Sequence, residues 1–136
     1  MSFYLSNITI YHFLDWFFLV FHFALIVFIL FGWIWKRLRP YNLAVILLTF
    51  ASWSLLGIWY GFGYCPFTDW HWQVLYELGH TGLPASYVSY LFQRILNIEL
   101  SQNFVDLLTG GLAVLAFVIS LTLNLRDFIK KRKKVL

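Results

Sequence analysis

The chain has 136 residues, of which 61% are hydrophobic (22% aromatic) and only 12% charged, and its formal net charge is +4. A soluble domain carries about 25% charged residues, and a small globule has too much surface to bury such an apolar excess. The composition excludes a soluble single domain and a disordered chain. It predicts a small integral membrane protein.

Three apolar runs are long enough to cross a bilayer, which takes about 20 residues. They cover residues 13–35, 43–62 and 104–125. The first run follows a segment without Lys or Arg, exceeds the apolar core of a signal peptide and precedes no Ala-x-Ala-like site, so we interpret it as a retained helix. The predicted fold is an all-α membrane protein with three transmembrane helices in one domain, residues 1–136.

All but one of the ten Lys and Arg residues fall in two clusters, each directly after an apolar run. Bases flank the cytoplasmic ends of membrane helices. Both clusters are therefore predicted to face the cytoplasm, with the N-terminus outside and residues 126–136 as a basic cytoplasmic tail. This pattern sets topology or holds anionic lipid, and it disfavours nucleic acid as a partner. The clusters comprise Lys36, Arg37 and Arg39, and Arg126, Lys130, Lys131, Arg132, Lys133 and Lys134.

Residues 63–102 form the predicted extracytoplasmic segment, which is too polar to span the membrane. Thr68 is predicted to cap a helix from Asp69 to about Leu78, and Pro84 to begin a second helix that ends near Ile98. Both helices are expected to lie on the outer surface or to cover the bundle.

Three polar side chains share one helical face: His12, directly before the first apolar run, and Asp15 and His22 within it. His22 falls near the middle of the span, where a polar group is costly and usually faces the protein interior. A proton relay, a quinone hydrogen-bonding site or a haem ligand would use such groups. The alternative interpretation is that a neutral His22 bonds a neighbouring helix while Asp15 lies at the headgroup level.

Metal and thiol chemistry have weaker support. Glu77 and His80 have a Glu-x-x-His spacing, but a di-iron site needs a second such pair, so no metal site is predicted. The single cysteine, Cys65, excludes an internal disulfide. Asn103 and Asp106 fit a capping pattern at the start of the third apolar run. No cofactor is predicted, except a quinone or haem under the proton- or redox-coupled alternative.

Small residues share one face on the second and third apolar runs, which permits close helix approach in lipid. Packing of these two helices within the chain explains both faces, and a homo-oligomer or another membrane subunit would use the same feature. The residues are Ser54, Gly57 and Gly61, and Thr109, Ala113, Ala116 and Ser120.

Two motifs carry a family resemblance that covers residues 14–91. The first run has an Asp-x6-His spacing followed by Gly32, and a Cys-Pro-x-Thr motif follows the second run. Together they resemble a bacterial family of small inner-membrane proteins of unknown function, whose motif reads Cys-Pro-Leu-Thr. Phe67 replaces that Leu, and His71 stands where many members have Glu. The matching positions are Asp15, His22, Gly32, Cys65, Pro66 and Thr68.

The resemblance implies a bacterial inner-membrane location and names no activity. The Cys-Pro-x-Thr motif forms a sharp helix exit, which is expected to bring His71 or Thr68 toward the polar face of the first helix. The predicted candidate pocket therefore comprises His12, Asp15, His22, Thr68 and His71. The predicted function is a non-enzymatic accessory or scaffold subunit of a membrane complex. The runner-up is a proton- or redox-coupled protein using Asp15 and His22, and a channel or transporter is disfavoured.

Overall fold

The computed structural model describes residues 2–136, with side chains described from residue 5 onward. Every regular element in this part of the chain is helical, as the sequence predicts. Three helical stretches are long and apolar enough to cross a membrane: Leu5–Ile34, Lys36–Tyr60 and Gln102–Val135. We call them the first, second and third spans.

The first span comprises α1, Ser2–Phe31, from Leu5 onward, and a 3-10 turn, Gly32–Ile34. A second 3-10 turn, Lys36–Leu38, leads into α2, Arg39–Ala51. α1 therefore begins well before residue 13, where the first apolar run starts, and the second span begins before residue 43. Both differences arise because polar and basic residues continue a helix beyond the apolar run that marks its passage through lipid.

The second span ends at Gly61, because a helix cannot continue through that residue's φ of 103°. A π-helical segment, Ser52–Leu56, separates α2 from the short α3, Gly57–Tyr60. The Ser52 hydroxyl donates to the Tyr64 carbonyl, with 2.9 Å between the oxygens. This bond folds the exit loop back against the widened turn.

Two short helices follow: α4, Pro66–Glu77, and α5, Tyr87–Leu96. They form what we call the α4–α5 layer. The prediction that Thr68 caps α4 is wrong, because Pro66 occupies the first turn and Cys65 is the N-cap residue. The prediction that Pro84 begins α5 is also wrong. Ser86 caps this helix by accepting a hydrogen bond from the Ser89 backbone N–H.

The third span is one helix, α6, Gln102–Val135. Ser101 caps it by accepting from the Phe104 N–H, in place of the predicted Asn103. Residues 126–135, predicted as a tail, continue the helix because Lys and Arg are good helix formers and favour the C-terminal end of the helix dipole. α6 packs against α2 and α1, and α4 packs against α1.

Candidate functional site

A buried carboxylate on α1 connects the first span to the α4–α5 layer. Asp15 is 6% exposed. Its Oδ1 accepts from Arg94 Nη1 at 2.7 Å, and its Oδ2 accepts from Arg94 Nη2 at 3.0 Å. This two-point pairing matches the planar guanidinium to the carboxylate. The ion pair holds α5 in a fixed position on α1.

The same carboxylate binds an imidazole from α4. His71 is fully buried, and its Nε2 lies 2.7 Å from Asp15 Oδ1. Because an ionised carboxylate only accepts hydrogen bonds, Nε2 carries the proton. Nδ1 of the neutral ring is then free to accept from the Tyr87 hydroxyl, which lies 2.8 Å away. We call Asp15, Arg94, His71 and Tyr87 the Asp15 network.

Burial sets the protonation of the groups on the α4–α5 layer. It lowers the pKa of His71 below its ordinary value, although the hydrogen bond to Asp15 partly offsets this effect. Burial raises the pKa of Tyr87. The hydrogen bond to Asp15 raises the pKa of Arg94 above its ordinary value. Each group is therefore held in its ordinary form at neutral pH: imidazole neutral, phenol protonated and guanidinium charged.

Aromatic rings surround the network. The His22 ring stacks on Tyr87 with centroids 3.8 Å apart and an interplanar angle of 10°. Trp72 stacks on the same tyrosine at 5.4 Å. The Arg94 guanidinium lies 5.2 Å from the ring centre of Trp16, a cation–π distance. The network is thus enclosed by rings from α1, α4 and α5.

The structure unites three of the five predicted pocket residues and leaves two outside. Asp15 and His71 are hydrogen-bonded, and His22 joins them through its stack on Tyr87. His12 is exposed on α1. Thr68 is half-buried within the first turn of α4 and has no side-chain hydrogen bond among the described residues.

The sequence analysis missed Arg94 and Tyr87. Arg94 had a visible signal, since it is the only base outside the two clusters. A base that stands alone in an apolar chain needs an acidic partner. Asp15 is an acid that also stands alone, so the two residues could have been paired from the sequence. Tyr87 had no comparable signal.

The predicted small-residue faces divide between two roles. Ala113, Ala116 and Ser120 are buried in α6, and Phe117 beside them meets Phe50 of α2 with ring centroids 5.5 Å apart. The other residues of these faces lie elsewhere. Gly57 and Gly61 are in the turn that ends the second span, and the exposed Ser54 donates to the Phe50 carbonyl. Thr109 lies at a cleft beside α5.

A second polar cluster lies at the other end of the first span. Asn42 is fully buried and donates to the Phe28 carbonyl at 2.6 Å. A Cβ on Gly32 would lie 2.8 Å from the Asn42 amide nitrogen and 2.8 Å from the Phe28 ring, so a larger residue would require these side chains to shift. Arg39 donates to Asp127 at 2.8 Å and brings the two basic clusters to the same end of the bundle. We call Gly32, Asn42, Arg39 and Asp127 the basic-end cluster.

No group of three or more His, Cys, Asp and Glu side chains within the described residues is arranged to hold a metal ion. The Asp15 network has the order carboxylate, imidazole, hydroxyl that hydrolases use. Here, however, the hydroxyl belongs to a tyrosine that is only 5% exposed, and the carboxylate is already neutralised by Arg94. The geometry suits a fixed internal connection better than a nucleophile.

Three spans with a buried ion pair between the first span and a short-helix layer define a small helical membrane protein. The chain belongs to the family described as Protein of Unknown function (DUF2784), whose family model matches residues 12–125. No curated protein and no solved structure matches the chain.

Proposed function

We propose that this protein is a non-enzymatic accessory or scaffold subunit of a larger membrane complex. The observation that carries the proposal is the internal saturation of the Asp15 network. Both carboxylate oxygens and both His71 nitrogens are used by partners within the chain. Such a network gives the α4–α5 layer a fixed orientation, which a docking surface requires.

The spans themselves support a partner in the membrane. In the most apolar part of the second span, only 6% of residues are buried within the chain. On α6, Gly110 and Gly111 have open space where a Cβ would be. Helices in lipid associate through close packing at small residues, so this surface is suited to another subunit or a second copy.

We also propose a bacterial inner membrane as the location, with the N-terminus outside and the C-terminus in the cytoplasm. The support is the Arg39–Asp127 pair, which unites both basic clusters at one end, as the positive-inside rule requires of one cytoplasmic face. Reporter fusions after Arg39, Asn97 and Leu136 test it. An extracytoplasmic signal at Leu136 would overturn the orientation.

The subunit proposal is tested by purifying the tagged protein in mild detergent from its own host membranes and identifying co-eluting proteins by mass spectrometry. We expect stoichiometric membrane partners for the wild type. Arg94→Leu should lose them because the α4–α5 layer is released, whereas Arg126→Leu, which removes a half-exposed base, should retain them. Elution of the wild type alone would refute the subunit role.

A second candidate is a proton- or redox-coupled protein that uses Asp15 and His22 with a quinone or haem. One observation favours it: Nδ1 of His22 is buried without a hydrogen-bond partner among the described residues. A buried polar atom in that state is costly, and a ligand would satisfy it.

The test for this candidate is the optical spectrum and the extractable quinone content of the purified protein. His22→Leu should lose the bound molecule. His12→Leu, an equal change at an exposed position of the same helix, should keep it. Equal content in both variants, or none in the wild type, would exclude the candidate.

A further inference from the structure

An apolar cleft of about 420 Å³ lies between the three spans and α5. All three spans contribute walls, including Ile26, Phe50 and Leu112, and α5 contributes its apolar face, including Leu91, Phe92 and Ile95. None of the four residues of the Asp15 network lines the cleft. The core residues Leu19 and Leu91 pack between α1 and α5.

The cleft offers water almost nothing to bind. Its lining side chains carry three polar groups, the hydroxyls of two threonines and the indole N–H of Trp53. The Thr49 hydroxyl donates to the Val45 carbonyl at 2.9 Å, and the Thr109 oxygen is buried without a hydrogen-bond partner among the described residues. A site holds water only if it supplies two to four polar partners. The cleft therefore favours an apolar occupant over water.

The shape of the cleft favours a thin chain over a helix. A helix is about 10–12 Å across, so it would cover the mouth of the cleft and enter it with side chains alone, whereas a hydrocarbon chain can lie along the interior. The volume of the cleft falls within the range of about 300–1,000 Å³ that small-molecule sites occupy.

The position of the cleft indicates where its occupant comes from. Ile95 and Leu96 line it and are 54% and 56% exposed, so their side of the cleft is open at the level of α5. From there the walls continue along the first span from Phe23 to Leu30, about 10 Å at 1.5 Å per residue. A flexible hydrocarbon chain that entered beside α5 would fill this space.

We infer that the cleft binds one acyl chain of a membrane phospholipid, with the glycerol and headgroup beside the C-terminal end of α5. The chain gives the apolar face of α5 the contacts that it otherwise lacks, since a void deprives its lining of dispersion contacts. This binding site is independent of whether the protein has subunit partners.

The inference is tested by photolabelling of the protein in phospholipid-free detergent micelles, to which phosphatidylcholine with a diazirine on one acyl chain is added in increasing amounts. Mass spectrometry of the digested protein locates the label. We expect saturable labelling of Trp53 in the cleft, which excess unlabelled phospholipid removes. Leu48, 70% exposed to the lipid, should be labelled without saturation and serves as the internal reference.

A matched pair of variants fills the cleft or leaves it open. Thr49→Phe puts a ring into the cleft and should lower Trp53 labelling by about tenfold. Thr122→Phe should leave it unchanged, because Thr122 is an exposed threonine of α6 whose hydroxyl is bonded in the same way to the Val118 carbonyl. Three results in the wild type would each overturn the inference: no labelling of Trp53, labelling that does not saturate, or competition by a quinone but not by phospholipid. The wild-type competition decides this even if Thr49→Phe fails to fold.

Discussion

The strongest single prediction concerns the ion pair that joins α5 to α1. Arg94→Leu removes two hydrogen bonds from Asp15, whose side chain is only 8% exposed, and leaves that carboxylate with His71 alone. Removing one partner of a buried ion pair costs about 3–5 kcal/mol. Because Arg94 is itself 25% exposed, we expect the lower end of this range, about 3 kcal/mol of unfolding free energy.

A double-mutant cycle isolates the pair from other effects of the leucine. Asp15→Leu removes the acceptor and strands the Arg94 charge, so it should also destabilise the protein. In the double variant neither charge remains, and the double change should cost about 2 kcal/mol less than the sum of the single changes. Arg94→Lys should recover only part of the loss, because an ammonium cannot bond both carboxylate oxygens as the guanidinium does.

The assay is unfolding by SDS in mixed micelles, followed by tryptophan fluorescence. Trp16 contacts Arg94 and Trp72 contacts Tyr87, so the signal reports on this region. Arg126→Leu is the control and should change the unfolding free energy by less than about 0.5 kcal/mol. A cost for Arg94→Leu no larger than the control, or additivity in the cycle, would refute the reasoning.

Two further predictions use the same assay. Because burial lowers the pKa of His71 below 6.5, the unfolded chain takes up that proton more readily, so unfolding free energy should fall as the pH drops below about 6.5. His71→Gln should make this profile less steep, and exposed His80→Gln should leave it unchanged. An unchanged slope in His71→Gln would contradict the assignment. Gly32→Ala should lower the free energy of unfolding by about 1–3 kcal/mol, because the added methyl group overpacks against Asn42. Gly111→Ala, whose methyl group contacts no other atom, should leave the unfolding free energy unchanged or raise it. Equal effects of the two changes would contradict the close approach at Gly32.

The three spans were predictable because the bilayer fixes the length of an apolar run. The ends of the helices were not, since the apolar run marks the edge of the lipid and not the last helical residue. α6 shows the difference: it continues through Lys130 and Lys134 to Val135, because nothing in those residues stops a helix. At the end of the second span, by contrast, the φ of Gly61 stops the helix close to the predicted position.

The candidate site was predictable in part. Helical spacing placed Asp15 and His22 on one face, and the proline exit predicted that α4 would return over α1. Those inferences used local rules. Arg94 and Tyr87 lie on α5, 79 residues beyond Asp15 and 16 beyond His71 in the hydrogen-bonded pairs. Their positions depend on how the α4–α5 layer packs, which no local pattern specifies.

The two polar clusters explain how such a small bundle keeps a cleft open. Helices in lipid gain no hydrophobic free energy by touching one another, so close packing and hydrogen bonds determine where they meet. The Asp15 network joins α1 to the α4–α5 layer, and Asn42 joins the second span to the Phe28 carbonyl, about 20 Å farther along α1. Along the first span, the cleft begins between these connections at Phe23 and reaches Leu30, just past the Asn42 bond. Because α6 packs against α2 and α1 in the same bundle, the two polar connections and this packing together fix the walls of the space that we propose an acyl chain fills.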